Sequence, residues 1–250
     1  MLPGTDHQLL RTLEGFETSK ITIVEWENPL LRRLGYPLSS KPDLIFLVPD
    51  DQLEEANNIA TVSGLKLAKN DDLPLSYLSE FAKQGFRYVY GKPMSKFILV
   101  PLSWTGIEKD ELTIIATSER LLPCTIWTVP LPALCAAYLR IIVRESKGSR
   151  VRVMAIADLA GVIAYSMFDM SYPGDYMETP EDRVNDEAVG SREDDEDAAA
   201  LAEKEALEMK DALNNIRGWH FRKNEDWNRE TLIRLVSGKL RYEDLPSNKT

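Results

Sequence analysis

Cysteine and histidine are scarce in this 250-residue sequence, and their scarcity excludes several kinds of site. The two cysteines, Cys124 and Cys135, form no Cys-x-x-Cys pair, so neither a disulfide framework nor a structural zinc site is expected. The two histidines, His7 and His220, are near opposite ends of the chain. A histidine-rich metal site and a Ser-His or Cys-His catalytic pair are therefore not expected either. We expect both cysteines to be reduced and buried.

Long apolar runs are also missing. The longest, Leu131–Val143, is interrupted by Arg140 and is far shorter than the roughly 20 residues that a membrane-spanning helix needs. Residues Met1–Thr18 are mixed and polar, unlike the apolar part of a secretory signal. The sequence therefore predicts a soluble, cytoplasmic protein without a membrane partner.

A surplus of basic residues is missing as well, since the net charge of the chain is −10. Glu178–Asp197 holds ten acidic side chains against two arginines, so most of the negative charge lies in this segment. The rest of the chain is nearly neutral and lacks the broad basic surface that nucleic-acid binding requires. We expect no nucleic-acid partner, and we interpret residues 172–197 as an acidic linker.

The clearest structural element is an unbroken apolar run, Leu44–Val48, between Pro42 and Pro49. It is too short for a helix and is typical of a strand that is buried on both faces at the centre of a sheet. Asp51 and Glu54 have the spacing of a capping box. Apolar residues at helical spacing follow as far as Gly64. This pattern predicts a central strand, a tight turn and a covering helix.

A β-hairpin is predicted further along the chain. Phe86–Tyr90 and Lys96–Leu102 both have strand patterns, and a short segment containing Gly91 and Pro93 separates them. Shorter segments also have the composition of strands: Ile21–Trp26, Leu65–Ala68, Leu112–Ala116 and Thr125–Val129. Together with the central strand, they predict one sheet.

Helical spacing dominates after Pro130, and a shorter helix is predicted from Asp72 to Gly85. The fold class expected is therefore α/β, with a mixed β-sheet and covering helices followed by a helical C-terminal portion. We divide the chain into an α/β domain (1–130), a helical segment packed on it (131–171), the acidic linker (172–197) and C-terminal helices (198–250).

Several stretches resemble the nucleotidyltransferase fold. Asp43–Ala56 looks like the strand, turn and helix that carry the metal site of that superfamily, and Thr125–Leu159 is similar to the helical segment that follows its catalytic sheet. Phe97–Trp104 and Arg222–Trp227 extend the likeness to uncharacterised fungal proteins of nucleotidyltransferase-like fold. The resemblance implies a sheet of this type, a nucleotide-like ligand and, in an active enzyme, Mg²⁺.

The set of acidic residues that would bind the metal is incomplete. Active members carry acids at positions i and i+2 of one strand, where alternation places both on one face within reach of a divalent ion. Asp43 matches the first acid, but Ile45 occupies the second position, and Phe97–Leu102 offers no acid. Tyr36 follows Gly35 where active members have a second Gly or a Ser. The resemblance thus implies a degenerate site, in which Asp43 alone is retained and no metal cofactor is expected.

Two other acids form an alternative set. Glu25 and Glu27 flank Trp26 on the first strand, and the alternation of side chains predicts that they share a face. Their spacing suits a metal, although acids at strand ends more often face solvent. Asp43 likewise has a structural interpretation, as an acid that caps the loop after Pro42.

These observations give three alternatives for function. The first is a pseudoenzyme of nucleotidyltransferase-like fold that binds a nucleotide-like small molecule or another protein. The second is an active Mg²⁺-dependent nucleotidyltransferase with relocated acids, in which Asp43, Glu25 and Glu27 are the catalytic candidates. The third is a structural interaction protein that uses the acidic segment and the helix after it. The sequence does not identify the cofactor-binding residues.

Overall fold

The structure is a computed structural model that describes residues 7–37, 43–69, 71–115, 122–170 and 192–249, with side chains described from residue 202 in the last range. Its strands are β1 (Ile23–Glu25), β2 (Leu44–Val48), β3 (Lys66–Leu67), β4 (Phe86–Tyr90), β5 (Ser95–Pro101), β6 (Thr113–Ile114) and β7 (Ile126–Thr128). Its α-helices are α1 (His7–Thr18), α2 (Asn28–Arg33), α3 (Asp50–Val62), α4 (Leu78–Phe81), α5 (Leu102–Thr105), α6 (Leu131–Arg144), α7 (Arg150–Met167), α8 (Arg192–Gly218) and α9 (Asp226–Val236).

The strands form one mixed sheet in the order β3-β4-β5-β2-β1-β7-β6. The pairs β2–β5 and β1–β7 are parallel, and the other pairs are antiparallel. Because β2 lies in the middle of this order, the predicted central strand Leu44–Val48 is confirmed. The predicted hairpin is confirmed too, since β4 and β5 pair antiparallel and Tyr90 lies opposite Ser95. The α/β class is therefore correct.

One face of the sheet packs against α1 and α3 through an aromatic core. The rings of Phe16, Phe46 and Tyr88 surround Phe97, with centroid separations of 6.2, 6.0 and 5.9 Å. Side chains alternate along β2, so Ile45 points to the opposite face from Phe46. Both residues are almost completely buried, which explains why β2 is apolar at successive positions.

The helix after β2 starts differently from the prediction. α3 begins at Asp50, directly after Pro49, and no side chain caps its first turn. The Asp50 carboxylate instead accepts hydrogen bonds from the hydroxyl (2.9 Å) and backbone N–H (3.3 Å) of Ser103, at the start of α5. The helix ends as predicted near Gly64, whose φ of +95° is unfavourable for other residues.

The predicted helix from Asp72 to Gly85 is reduced to the single turn α4. The segment before α4 is not helical because its carbonyl oxygens accept hydrogen bonds from two cationic side chains, the partly buried Arg87 and the buried Lys96. The carbonyl of Leu73 accepts a hydrogen bond from Arg87 (2.5 Å), and that of Pro74 accepts one from Lys96 (2.6 Å). Tertiary hydrogen bonds therefore override the local helical pattern.

The chain divides into two compact units, one containing Met1–Val162 and Asp244–Thr250, the other Ile163–Glu243. In the first unit, Tyr138 of α6 packs against Trp26, with ring centroids 5.6 Å apart. In the second unit, α8 and α9 contact each other. Within the described ranges, every helix is too short or too polar to cross a lipid bilayer.

The acidic linker predicted over residues 172–197 lies largely outside the described residues. Its last part belongs to α8, which begins at Arg192, so the prediction of a linker as far as residue 197 extended too far. Acids are favourable in the first turn of a helix, and the glutamates and alanines from residue 193 onward have high helix propensity, which is the physical reason for the earlier start.

Candidate functional site

Asp43 lies at the start of the central strand and is 8% exposed. Its carboxylate accepts a hydrogen bond from the hydroxyl of Tyr77 (2.6 Å) and another from the backbone N–H of Lys96 (2.7 Å). The second bond joins the residue before β2 to the second residue of the parallel strand β5. Asp43 therefore links the start of two strands to the segment before α4, and the loop around Pro42, which it was predicted to cap, lies outside the described residues.

Glu80 forms the second part of the site. One of its carboxylate oxygens lies 2.6 Å from the Nε of Arg87, and the other lies 2.8 Å from the Nζ of Lys96. The same carboxylate accepts hydrogen bonds from the backbone N–H groups of Ser76 (2.8 Å) and Tyr77 (3.0 Å). The Glu80 side chain is only 1% exposed, so these partners compensate the cost of burying its charge.

Glu27 is the most unusual residue of the site. It is 3% exposed, and its backbone has φ +48° and ψ −120°, a combination that costs energy for any residue with a Cβ. Its carboxyl group accepts hydrogen bonds from the backbone N–H (2.8 Å) and hydroxyl (3.1 Å) of Ser79. The pKa of Glu27 is raised to about 8: burial is the main cause, the hydrogen bonds from Ser79 lower the pKa, and the charges of Asp158 and Glu80 raise it. Glu27 is therefore mostly protonated at neutral pH.

Asp158 of α7 completes a group of four acids, Glu27, Asp43, Glu80 and Asp158, which we call the carboxylate cluster. Burial raises the pKa of Asp158 to about 6. The pKa of Tyr77 is raised by burial, by its hydrogen bond to Asp43, and by the charges of Glu27 and Glu80. Two of the four acids contact Tyr77 directly, because Asp43 accepts a hydrogen bond from its hydroxyl and Glu80 accepts one from its backbone N–H.

Glu25 does not belong to this cluster. It accepts hydrogen bonds from Arg33 and from the hydroxyl of Thr128 (2.6 Å), on the neighbouring strand β7. The prediction that Glu25 and Glu27 form a metal-binding pair on one face is therefore wrong. The chain leaves the strand after Glu25, and the positive φ of Glu27 breaks the alternation on which the prediction depended. The alternative, that both face solvent, is also wrong, because both are buried.

Ile45 occupies the position that corresponds to the second metal-binding acid of active nucleotidyltransferases, and it is part of the core. Ile45 is fully buried and lies opposite Ile98 of β5. Among the described residues, no three side chains of the types His, Cys, Asp and Glu are arranged to hold a metal ion. Asp43 and Glu27 thus accept hydrogen bonds from two residues of the same segment at α4, Asp43 from Tyr77 and Glu27 from Ser79.

Most of these partners were missed by the sequence analysis. Tyr77 is 34 positions from Asp43, and Lys96 is 53 positions away, so no local pattern connects them. One local signal was present: Tyr77 and Glu80 have the spacing of a capping box, and the structure contains one there. That signal places an acid at the start of a helix, but it does not reveal that the acid is buried against two cations.

The chain was also compared with known proteins. Scans against protein-family models, curated proteins and solved structures gave no match to it.

Proposed function

We propose that this chain is a protein of nucleotidyltransferase-like fold that works as a binding module for a nucleotide-like ligand or another protein, without metal-dependent catalysis. The environment of Asp43 is the observation that carries the proposal. Both carboxylate oxygens of this acid, the only one retained from the motif, accept hydrogen bonds from the protein itself. Ile45, at the second motif position, is buried in the core and has no atom that can ligate a metal.

The residues around Asp43 do not fit Mg²⁺. This ion requires near-octahedral oxygen ligands at about 2.0–2.1 Å and is reluctant to lose water. Each oxygen of Asp43 already accepts one hydrogen bond, which leaves fewer lone pairs for an ion, and the Lys96 ammonium, which lies 5.0 Å from the centre of the Tyr77 ring, would repel a cation. The neighbouring carboxylate of Glu80 is already paired with Lys96 and Arg87. The site therefore favours a structural link over a metal centre.

Calorimetric titration tests this proposal directly. Mg²⁺ and Mn²⁺, alone and with ATP, are expected to show no tight metal-dependent binding to the full chain. Radiolabelled nucleotide incubated with the protein and a cell extract is expected to give no more transferred label than an Asp43→Asn control. Label transfer that is lost in Asp43→Asn would overturn the proposal, because the metal-dependent reaction would then depend on the carboxylate of Asp43.

A relocated active site is the second candidate, and the backbone of Glu27 favours it. Residues in sparsely populated φ/ψ regions occur often at active sites, and a carboxyl group with a pKa near 8 is suited to proton transfer near neutral pH. This candidate predicts label transfer that is lost in Glu27→Gln but kept in Asp43→Asn. An absence of transfer in the wild type rejects it.

A further inference from the structure

A cleft of about 530 Å³ lies beside the start of α5, within the first unit. Ser103 and Trp104 line it from α5, Arg144 and Glu145 from the end of α6, and Lys249 from the C-terminal segment. β2 and β5 are parallel, so the residues that follow β5 are at the opposite end of these strands from Asp43. The lining of the cleft includes no member of the carboxylate cluster, although Phe81 in its wall directly follows Glu80 in α4. Its volume is in the range of small-molecule sites.

Arg144 is held in place in this cleft with hydrogen-bonding capacity to spare. Its Nη1 donates a hydrogen bond to the carbonyl of Trp104 (2.5 Å), and its Nε lies 3.5 Å from a carboxylate oxygen of Glu145. Its Nη2 is buried and has no partner among the described residues. A guanidinium group offers five N–H donors, and a buried donor without an acceptor is costly. The side chain as a whole is 37% exposed, so a ligand can reach the guanidinium group through its exposed atoms and not through the buried Nη2.

Lys249 is positioned by a well-anchored segment of chain. The buried Arg152 donates hydrogen bonds to the carbonyl of Leu245 (2.5 Å), which is itself completely buried. The backbone N–H of Asn248 donates to the carbonyl of Val143 (2.7 Å), near the end of α6. These bonds place Lys249 against the same helix end that carries Arg144.

The charges at the cleft are unbalanced. Arg144 and Lys249 both line it, and the guanidinium of Arg150 lies 3.9 Å from the ring centre of Phe81, which is part of its wall. Glu145 is the single acid among the lining residues, and it lies 3.6 Å from Lys249. Asp50, which accepts hydrogen bonds from Ser103 of the wall, is a second acid at the cleft, so the three cations exceed the two acids by one charge, although the whole chain carries −10. A local cationic surface of this kind attracts anions.

We propose that this cleft, the cationic cleft, binds the phosphate group of a phosphomonoester. The inference rests on the binding role proposed above and adds a location and a ligand class. The planar fork of Arg144 suits phosphate oxygens, and Lys249 adds a second charge. A dianionic phosphate gains more than a singly charged carboxylate from a site with surplus cations. The cleft is larger than a phosphate ion needs, which leaves room for the esterified group.

Titration of the full chain in EDTA tests the ligand class. Glycerol phosphate is the probe, and inorganic phosphate and acetate are the comparisons, all at constant ionic strength. We expect glycerol phosphate to bind more tightly than inorganic phosphate and acetate not to compete. Equal binding of inorganic phosphate would assign the site to the free ion and overturn the phosphomonoester assignment. Competition by acetate would show that the cleft also binds a carboxylate, and it would overturn the assignment of phosphate as the ligand group.

Charge variants test the location. Lys249→Gln is expected to weaken binding of glycerol phosphate roughly tenfold, as is typical of losing one charge-assisted contact. Glu145→Gln is expected to tighten it, because the competing acid is removed. Lys66→Gln loses the same charge on the exposed edge strand β3 and should bind like the wild type. Wild-type affinity in both Lys249→Gln and Arg144→Lys would overturn the proposal.

The two proposals fail in different experiments. EDTA removes divalent metals, so a failure to bind glycerol phosphate does not depend on the chemistry at Asp43. Label transfer that depends on Asp43, in contrast, would overturn the non-catalytic function and leave the titration result unchanged.

Discussion

The carboxylate cluster and the cationic cleft combine acids and cations in opposite ways. In the cluster, the carboxylate of Glu80 is 1% exposed and lies within 2.8 Å of nitrogen atoms of both Arg87 and Lys96. In the cleft, Glu145 is 19% exposed and approaches Arg144 and Lys249 no closer than 3.5 and 3.6 Å. Close, buried pairing uses the charges to hold the structure together, whereas loose pairing at a surface leaves them available to a ligand.

This difference also explains why acids alone are a poor guide to function in this chain. Glu80 is buried among charges: one of its oxygens accepts three hydrogen bonds from neighbours in the same unit, and the other lies 2.6 Å from the Nε of Arg87. Arg144 was not singled out from the sequence, but one of its nitrogens has no acceptor among the described residues. Among the described residues, Glu80 and Arg87 also have atoms without a hydrogen-bond partner, so unused hydrogen-bonding capacity indicates a ligand site only where a cleft adjoins it.

The largest expected effect comes from neutralising the buried acid. Glu80→Gln keeps the shape of the side chain but leaves Lys96 and Arg87 buried without a counter-charge. Breaking a buried pair in this way costs about 3–5 kcal/mol. Urea denaturation would measure the loss. The matched control is Glu145→Gln in the cleft, which should change the free energy of unfolding by less than about 1 kcal/mol. Equal losses in both variants would contradict the distinction between the two regions.

The raised pKa of Glu27 predicts a pH-dependent stability. The folded chain keeps a proton on Glu27 between the ordinary pKa of 4.5 and about 8, where the unfolded chain has lost it. The contribution of Glu27 to the free energy of unfolding is therefore constant below pH 4.5. It falls as pH rises from 4.5 to about 8, with a slope of at most about 1.4 kcal/mol per pH unit.

Glu27→Gln removes this titration and isolates its effect. The stability of the variant relative to the wild type should increase between pH 5 and pH 8, as measured by urea denaturation at each pH. Asp158 titrates in the same direction at lower pH, from 3.8 to about 6, and is present in both proteins, so it does not alter the comparison. A constant difference between the two proteins across this range would show that Glu27 is ionised in the folded state.

The sequence predicted the parts of the fold that local pattern determines. β2 was recognised because an apolar run between two prolines has few alternatives, and the β4–β5 hairpin because strand patterns flank a Gly- and Pro-containing turn. The helix over 72–85 was predicted by the same reasoning, but Lys96 and Arg87 take the carbonyl oxygens that the first turns of that helix needed. Long-range hydrogen bonds are not visible in local spacing.

The candidate site was predictable to a smaller extent. Asp43 was identified, but its partners come from distant segments. Glu27 was considered only as a strand residue, because nothing in the neighbouring sequence indicates an acid with a positive φ. Asn and Asp tolerate such a conformation more readily than Glu does. Its position follows from the contact with Ser79, which only the folded chain provides.

A moderate effect is expected for the bond between Tyr77 and Asp43. Tyr77→Phe removes the hydroxyl and leaves one carboxylate oxygen of a buried acid without its donor, which should cost about 1.5–3 kcal/mol. Asp43→Asn should cost a similar amount. In a double-mutant cycle measured by urea denaturation, the losses should not add, because both variants break the same bond. Strictly additive losses would show that the two side chains act independently.

The smallest expected effect sharpens the contrast with Glu80→Gln. Lys249 is 56% exposed, and its nearest acid, Glu145, is 3.6 Å away, so the pair contributes little to folding. Lys249→Gln should therefore leave the free energy of unfolding within about 0.5 kcal/mol of the wild type. The same variant is expected to lose most of its affinity for glycerol phosphate, so stability and binding should separate at this residue. A loss of stability as large as that of Glu80→Gln would mean that Lys249 holds the C-terminal segment in place, and the cationic cleft would then be a structural feature like the carboxylate cluster.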